Sequence, residues 1–147
     1  MKTAEMLIRP FTADIEDAVV TLWQRAGLIG AWNNPHADIQ RKLKVNLELF
    51  LVGLIDGKMI ATAMAGYEGH RGWVNYLAVN PDCRRRGLGR QMMAAAEKSL
   101  LERGCPKINI QVRAGNTEAL GFYRALGFKM DEAISMGKRL IEDEATK

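Results

Sequence analysis

Residues Val79–Arg90 read VNPDCRRRGLGR, so a strand should end at Val79, an arginine- and glycine-rich turn should follow, and a helix should start near Leu88. A helix start has free backbone N–H groups and the positive end of the helix dipole, which together bind phosphate. Gly87 and Gly89 would let a pyrophosphate approach those amides, and the arginines add charge. The stretch is neither a Walker loop nor a dinucleotide fingerprint, since only two glycines occur, spaced as Gly-x-Gly. Taken alone, it also fits an exposed basic turn before an ordinary helix.

Upstream of this turn, the pattern predicts a strand, two helices and a three-stranded meander. Asp14 is placed to cap the first helix, whose apolar residues repeat at helical spacing. Asp56-Gly57, between two apolar runs, is a strong signal for a two-residue hairpin turn. The predicted elements are a strand over Leu7–Arg9, a second helix over Asp38–Asn46, and strands over Leu49–Ile55, Met59–Tyr67 and Trp73–Val79.

Downstream of the turn, helices and strands alternate. Leu88–Arg103 has helical periodicity and is followed by Gly104, a residue that often ends helices. Lys107–Arg113 alternates apolar and polar residues, which predicts a strand. Asn116 is placed to cap a last helix that Gly127 would end. Two short closing strands are predicted over Phe128–Met130 and Ser135–Leu140.

Length and composition indicate an ordinary globular chain. Its 147 residues are 48% hydrophobic and 26% charged, and this length predicts a single domain over residues 1–147. The longest apolar run, Met59–Ala65, is far shorter than the roughly 20 residues of a membrane helix. Residues Met1–Arg9 hold no segment of signal-peptide type, so we expect a cytoplasmic protein with reduced thiols and no membrane partner.

The charge and the metal-binding residues exclude further classes. A net charge of +4 permits an anionic ligand, but nucleic-acid binders usually concentrate their basic residues on one face. The aromatic residues, 7% of the chain, form no stacking pairs beside the basic turn. We therefore expect no nucleic-acid partner. No metal site is expected either, because the cysteines and histidines lie far apart, at Cys83, Cys105, His36 and His70.

Two segments together resemble the GNAT superfamily of N-acetyltransferases. Arg84-x-x-Gly87-x-Gly89 is similar to its pyrophosphate-binding motif, and the run from Asn116 through Phe122-Tyr123 to Gly127-Phe128 is similar to its later motif. Segments 66–72, 103–107 and 137–142 resemble the bacterial YpeA-type members. The resemblance implies an α/β, single-domain fold with a mixed central sheet. Its order would be strand, two helices, three strands, helix, strand, helix and two strands, splayed between the fourth and fifth strands.

The resemblance also implies acetyl-CoA as donor, an amine as acceptor, and a set of coenzyme-binding residues. The backbone of Leu77, Ala78 and Val79 would pair with the pantetheine arm, and Asn116 would hydrogen-bond the same arm. Tyr123 would stand near the thioester sulfur as general acid, although it also fits a core aromatic. The pyrophosphate would be held by the amides of Arg85, Arg86, Gly87, Leu88, Gly89 and Arg90.

The general base and the acceptor wall are less defined. Ribosomal-protein acetyltransferases of this superfamily carry a glutamate where this chain has Gln111, and a neutral amide cannot take a proton in that role. Glu68 is our candidate base, with His70 or a water chain as alternatives. The acceptor should meet the loop that holds Trp32, Asn33, Asn34, His36 and Asp38, where core packing of Trp32 and helix capping by Asp38 are equally open.

The sequence thus predicts an N-acetyltransferase that moves an acetyl group from acetyl-CoA to a primary amine of a small molecule or of a peptide or protein. The amine would attack the thioester directly. The alternative is an acetyl-CoA-binding module of the same fold without transferase activity, for which the neutral Gln111 is the motive. A homodimer is a further possible assembly.

Overall fold

The computed structural model of the chain describes residues 5–31 and 33–144. These residues form a five-stranded sheet with helices packed against it. The strands are β1 (Leu7–Pro10), β2 (Phe50–Ile55), β3 (Lys58–Tyr67), β4 (Gly72–Val79) and β5 (Ile108–Asn109). The helices are α1 (Glu16–Arg25), α2 (Pro35–Lys42), α3 (Leu88–Glu102) and α4 (Thr117–Ala125). Short 3-10 helices cover Ala13–Ile15, Leu47–Leu49 and Pro81–Cys83.

The sheet is mixed and opens between β4 and β5, as predicted. Its order is β1-β2-β3-β4-β5, with antiparallel pairing up to β4. The parallel pairing of β4 with β5 covers only Gly72 with Ile108 and Trp73 with Asn109. Gly72 makes this junction possible, because a Cβ there would lie 2.6 Å from Cys105 Sγ. Beyond the two pairs the strands separate and leave a gap.

Helices cover both faces of the sheet. On one face, α3 buries its apolar side against β3 and β4, with Met92 and Leu100 at 0% and 1% exposure. On the other face, α1 buries Val19 and Trp23 against Phe50. The apolar side of α1 therefore packs on one face of the sheet and that of α3 on the other. The opening between β4 and β5 lies at the sheet level, between these two helical layers.

A bulge interrupts the pairing of β3 with β4. Thr62 pairs with Ala78 and Met64 pairs with Asn75, so two residues of β4, Tyr76 and Leu77, lie opposite one residue of β3. A bulge of this kind bends the strand and redirects its side chains. It lies in the part of β4 that has left β5.

The N-terminal helices differ from their predicted starts. Asp14 does not cap α1: it lies inside the 3-10 helix Ala13–Ile15, because the chain already turns after the extended residue Thr12. The second helix begins at Pro35 and ends at Lys42, where Asp38–Asn46 was predicted. The Asn34 side chain accepts from the Ala37 N–H, and proline suits the first helical position, so the true start carries both usual signals.

The C-terminal strands also differ from prediction. β5 has two residues where Lys107–Arg113 was predicted, and neither Phe128–Met130 nor Ser135–Leu140 forms a strand. An alternating pattern becomes a strand only when a neighbouring strand accepts its hydrogen bonds and a second layer covers its apolar side. In residues 128–144 most side chains are exposed, with Ile134 at 91% and Met136 at 92%, so neither condition holds.

Candidate active site

The turn between β4 and α3, residues 84–89, is named here the arginine–glycine turn. Two of its residues have left-handed backbone, Arg85 with φ 66° and Gly87 with φ 73°. Among the described residues no side chain caps the start of α3, and its first turn carries no acidic residue. The leading N–H groups of α3 thus keep their hydrogen-bonding capacity at the positive end of the helix dipole. Exposed cations lie next to them in the sequence, at Arg84, Arg85, Arg86 and Arg90.

Helix α1, on the other face of the sheet, holds the segment that leads into this turn. The Arg25 guanidinium donates to Asn80 Oδ1 at 3.1 Å and to Asp82 Oδ2 at 2.9 Å. Asn80 Oδ1 also accepts from the Asp82 N–H at 3.0 Å, so Asn80 caps the start of the 3-10 helix Pro81–Cys83. The sequence did not single out Arg25, because its partners lie 55 and 57 residues away.

Gly89 has a packing role beside the predicted binding role. A Cβ at this position would lie 3.2 Å from Phe122 Cζ and 3.6 Å from Val79 Cγ2. The missing side chain therefore lets α4 approach the first turn of α3. This contact places Tyr123, the next residue of α4, beside the gap.

The backbone predicted to hold a pantetheine arm lies on the open edge of β4. Ala78 and Val79 pair with β3, and Leu77 lies in the bulge. Past Trp73, β4 has no pairing with β5 among the described residues. An extended ligand could add to this edge in the manner of a strand.

Asn116 and Tyr123 face the same cleft from α4. Asn116 Oδ1 accepts from the Ala119 N–H at 3.1 Å and caps the helix, which leaves its amide N–H groups for a ligand. The Tyr123 ring packs edge-on against Phe122 and Phe128, with centroids 5.1 and 5.6 Å apart. Its hydroxyl makes no hydrogen bond within the described part of the chain. Burial raises the pKa of the Tyr123 phenol above its ordinary value.

One large cleft connects these residues with the opposite wall. Its volume is about 1930 Å³, and its lining includes Leu77, Asn116 and Tyr123 together with Asp38 and Tyr76. Of the predicted site residues, the structure brings Leu77, Asn116, Tyr123, Asn33 and Asp38 around this space. It does not bring Ala78, Val79, Asn34, His36 or the arginine–glycine turn to the lining. Gln111 lines it too and donates from Nε2 to Ser135 Oγ.

Glu68 and His70 lie elsewhere, in the turn between β3 and β4. Both are exposed and neither lines the cleft. Glu68 Oε1 accepts from the Arg71 N–H and so holds its own turn. The structure does not bring these residues together with Tyr123, and the role of Glu68 as base stays a prediction.

The wall on which the sequence predicted the acceptor is organised by Tyr76, a residue the sequence did not single out. Its hydroxyl donates to Asp38 Oδ2 at 2.6 Å and accepts from Asn33 Nδ2 at 2.7 Å. Its ring stacks on Trp23 at a centroid distance of 3.7 Å. Asp38 therefore holds α2 to β4 and does not cap the helix, while Trp32 lies outside the described residues. The partners come from three separate segments, so no local pattern could have predicted them.

The C-terminal segment, residues 128–144, runs along the cleft from β5 to α2. Lys107 Nζ donates to Asp131 Oδ1 at 2.9 Å near its start. At its end, Arg41 Nη1 donates to Asp143 Oδ2 at 3.0 Å and Asn34 Nδ2 donates to the Glu144 carbonyl at 2.8 Å. The Arg41 guanidinium holds the pKa of the Asp143 carboxyl below its ordinary value. The segment thus links the two walls of the cleft.

Within residues 5–31 and 33–144, no three His, Cys, Asp or Glu side chains come together as a metal-binding group. None of the helices in these ranges has the length and apolar character needed to cross a membrane.

Comparison with known proteins decides the family. The family model described as "Acetyltransferase (GNAT) family" matches residues 14–128, a range that includes α1, the arginine–glycine turn and all of α4. The chain belongs to the GNAT family of acetyltransferases. An acetyltransferase of Pectobacterium atrosepticum is 46% identical over 138 residues, which cover 94% of this chain and 98% of that protein.

Solved structures of GNAT proteins share the fold. Aminoglycoside N-acetyltransferase AAC(6')-Iy, in complex with a bisubstrate analogue of coenzyme A, superposes with a TM-score of 0.76 at 20% identity, covering 94% of this chain and all of that one. The ribosomal-protein-S18-alanine N-acetyltransferase of Escherichia coli has a TM-score of 0.72 at 25% identity, covering 85% and 78%. PaiA N-acetyltransferase of Thermoplasma acidophilum, solved with coenzyme A, has a TM-score of 0.70 at 16% identity, covering 88% and 93%.

Proposed function

We propose that this GNAT acetyltransferase moves the acetyl group of acetyl-CoA to a primary amine by direct attack on the thioester. One observation carries the proposal: an uncapped helix start, preceded by exposed arginines, follows a strand edge that has no partner beyond Trp73. A pyrophosphate and an extended pantetheine arm need these two features side by side.

The coenzyme would lie along the gap. The amides of Arg85 through Arg90 would bind the pyrophosphate, and the backbone of Leu77, Ala78 and Val79 would pair with the pantetheine. The free amide N–H groups of Asn116 would donate to the same arm. The solved complexes of AAC(6')-Iy and PaiA with coenzyme A derivatives support this class of donor.

The transfer forms a C–N bond and breaks the C–S bond. The amine nitrogen attacks the thioester carbonyl carbon, and the tetrahedral intermediate collapses to the amide and the coenzyme A thiolate. Tyr123 would donate its phenolic proton to the departing sulfur and regain a proton from solvent. Its raised pKa keeps the phenol protonated at neutral pH, which an acid requires.

The proton lost by the amine has Glu68 as its candidate acceptor, with His70 or a water chain as the alternatives. A carboxylate base works only when ionised, so it would give the pH–rate profile an acid limb. In Glu68→Gln the acid limb of the pH–rate profile should disappear or shift. A profile like that of the wild type would assign the step to His70 or to water.

The acceptor is an amine of a small molecule or of a peptide, encountered in the cytoplasm. Relatives named above act, by their names, on aminoglycosides and on a ribosomal-protein alanine. An assay of coenzyme A thiol release against an aminoglycoside, a polyamine, free amino acids and an alanine-first peptide tests the proposal. Rapid release with at least one amine supports it, and tight acetyl-CoA binding without release from any amine contradicts it.

The second candidate is a module that binds acetyl-CoA without transferring it. Gln111, whose neutral amide donates to Ser135, favours this hypothesis because it cannot act as the general base. Calorimetry with acetyl-CoA, run beside the amine panel, separates the two candidates.

A further inference from the structure

Tyr76 has an unusual backbone for its place in the fold. Its φ is +49°, in the left-handed region, where bulky side chains are rare. The other non-glycine residues with positive φ in the described structure are Asn46, Asp56 and Arg85, which all lie in turns or at helix starts. Tyr76 lies inside β4, at the bulge. Such backbone strain is unfavourable and persists only where the surroundings enforce it.

The surroundings of Tyr76 do enforce it, through both its side chain and its backbone. Asp38 and Asn33 hold the hydroxyl, and Trp23 holds the ring. Thr62 Oγ1 donates to the Tyr76 carbonyl at 2.8 Å and accepts from Trp23 Nε1 at 2.9 Å. Thr62 is fully buried on the neighbouring strand.

We propose that Tyr76 is a positioning residue for acetyl transfer, which holds the β4 bulge in the geometry that presents its backbone to the acetyl group. The inference rests on the proposed function. The bulge residues Tyr76 and Leu77 both line the cleft, and Leu77 begins the backbone stretch assigned to the pantetheine. A backbone N–H that donates to the thioester carbonyl must be held in place before the reaction, because such a donor stabilises the transition state only when it is preorganised.

The geometry favours positioning over a direct role in proton transfer. The Tyr76 hydroxyl has already given its hydrogen bond to Asp38, and Asn33 donates to its oxygen. Burial, followed by the Asp38 carboxylate, raises the pKa of this phenol far above the ordinary value. Arg41 also donates weakly to Asp38 Oδ1, at 3.3 Å. Asp38 therefore acts on the reaction through Tyr76.

The test compares two tyrosine-to-phenylalanine variants. Tyr76→Phe removes the hydroxyl and keeps the ring on Trp23, whereas Tyr67→Phe removes an exposed hydroxyl outside the cleft. For each variant, calorimetry gives the ratio of the Kd for acetyl-CoA to the Kd for coenzyme A. This ratio isolates the acetyl group, because the rest of the ligand is the same. Turnover is measured with the best amine of the panel.

For Tyr76→Phe we expect the Kd ratio to shift by at least about threefold and kcat to fall at least about tenfold. Tyr67→Phe should match the wild type in both. An unchanged Kd ratio in Tyr76→Phe would overturn the proposal even if kcat falls, because a merely structural residue would change both affinities alike. If the wild type acetylates no amine, the proposed function fails, and the Kd ratio alone still decides the role of Tyr76.

A second pair of variants keeps the test valid should Tyr76→Phe fail to fold. Asp38→Asn keeps an oxygen that can accept from Tyr76, whereas Asp38→Ala removes it. A positioning role predicts a Kd ratio like that of the wild type in Asp38→Asn and a shifted ratio in Asp38→Ala. Equal ratios in the two variants would contradict it.

Discussion

The candidate site has two parts, called the coenzyme wall and the acceptor wall after their proposed roles, and they are built by different means. The coenzyme wall relies on backbone: an uncapped helix start, two left-handed residues and an open strand edge. The acceptor wall relies on side chains, and its centre is Tyr76, whose partners lie on α1, α2, β3 and the loop before α2. On the coenzyme wall, the positions of the backbone N–H groups are determined by glycines within one short segment of sequence. Positions on the acceptor wall depend on contacts between distant segments.

This difference has a chemical reason. A pyrophosphate and an extended arm are recognised by repeated N–H groups, which a turn and a strand supply with almost any side chains. An acceptor amine must be distinguished from other amines, and that requires particular polar side chains in fixed positions. Substitutions on the two walls should therefore affect different measurable quantities.

The largest effect is expected at Tyr123, where the walls meet. Tyr123→Phe should lower kcat by about 10²–10³ and leave acetyl-CoA affinity within about threefold, because the ring packing survives. A Tyr123 acid works only while protonated, so kcat should fall as pH rises through its pKa. Burial raises that pKa above its ordinary value, so this alkaline limb should lie at higher pH than an exposed tyrosine would give. The loss should shrink with a donor whose thiol is more acidic, and full kcat in the variant would make Tyr123 a packing residue.

Gly89→Glu is the sharpest perturbation of the coenzyme wall. A carboxylate beside the proposed pyrophosphate should weaken acetyl-CoA binding at least about tenfold, or roughly 1.4 kcal/mol, in calorimetry. Gly89→Ala is the matched control, since its Cβ meets Phe122 at the same distance without the charge. Equal affinities in the two variants would show that packing against α4, and not the anion, sets the effect.

Arg25→Gln tests whether α1 supports the segment that leads into the arginine–glycine turn. The Arg25–Asp82 pair is exposed, at 45% and 76%, so its loss should change stability little. We expect acetyl-CoA affinity to fall about twofold to threefold through a looser turn. Arg103→Gln, which breaks the exposed pair with Glu48 away from the turn, should leave affinity unchanged. A similar loss in both variants would point to general charge and not to the contacts of Arg25.

The smallest effect is expected at Gln111. It lines the cleft where a base would be useful, yet its amide is neutral and bonded to Ser135. Gln111→Ala should keep kcat within about twofold, the scale of one exposed hydrogen bond. A much greater loss, measured with saturating amine and acetyl-CoA, would give Gln111 a part in the reaction.

The sequence predicted the local elements well where neighbouring residues determine them. The hairpin at Asp56-Gly57 forms with φ of 51° and 76°, and Asn116 caps α4 as expected. The mixed sheet and its opening followed from the resemblance. Strands over Phe128–Met130 and Ser135–Leu140 were wrong, since alternation does not reveal whether a partner strand exists.

The site divides in the same way. The arginine–glycine turn was recognisable because its determinants are adjacent in the sequence. Tyr76 was not recognisable, because a tyrosine in a strand is usually a core aromatic. Its strain is seen only in its backbone angle φ. Its partner Asp38 lies 38 residues earlier, and Asn33 lies 43 residues earlier. Contacts of this range depend on the whole fold.

The short junction of β4 with β5 has a thermodynamic consequence under the proposed function. Only two residue pairs join the last strand to the sheet, so an arm bound in the gap would supply hydrogen bonds that the polypeptide itself omits. Any ligand selective for the folded state raises its stability, by about 2.7 kcal/mol at a hundred times its Kd. A shortage of coenzyme A would then both stop the reaction and remove this stabilisation of the folded state. The enzyme's abundance in a cell would track the supply of its own donor.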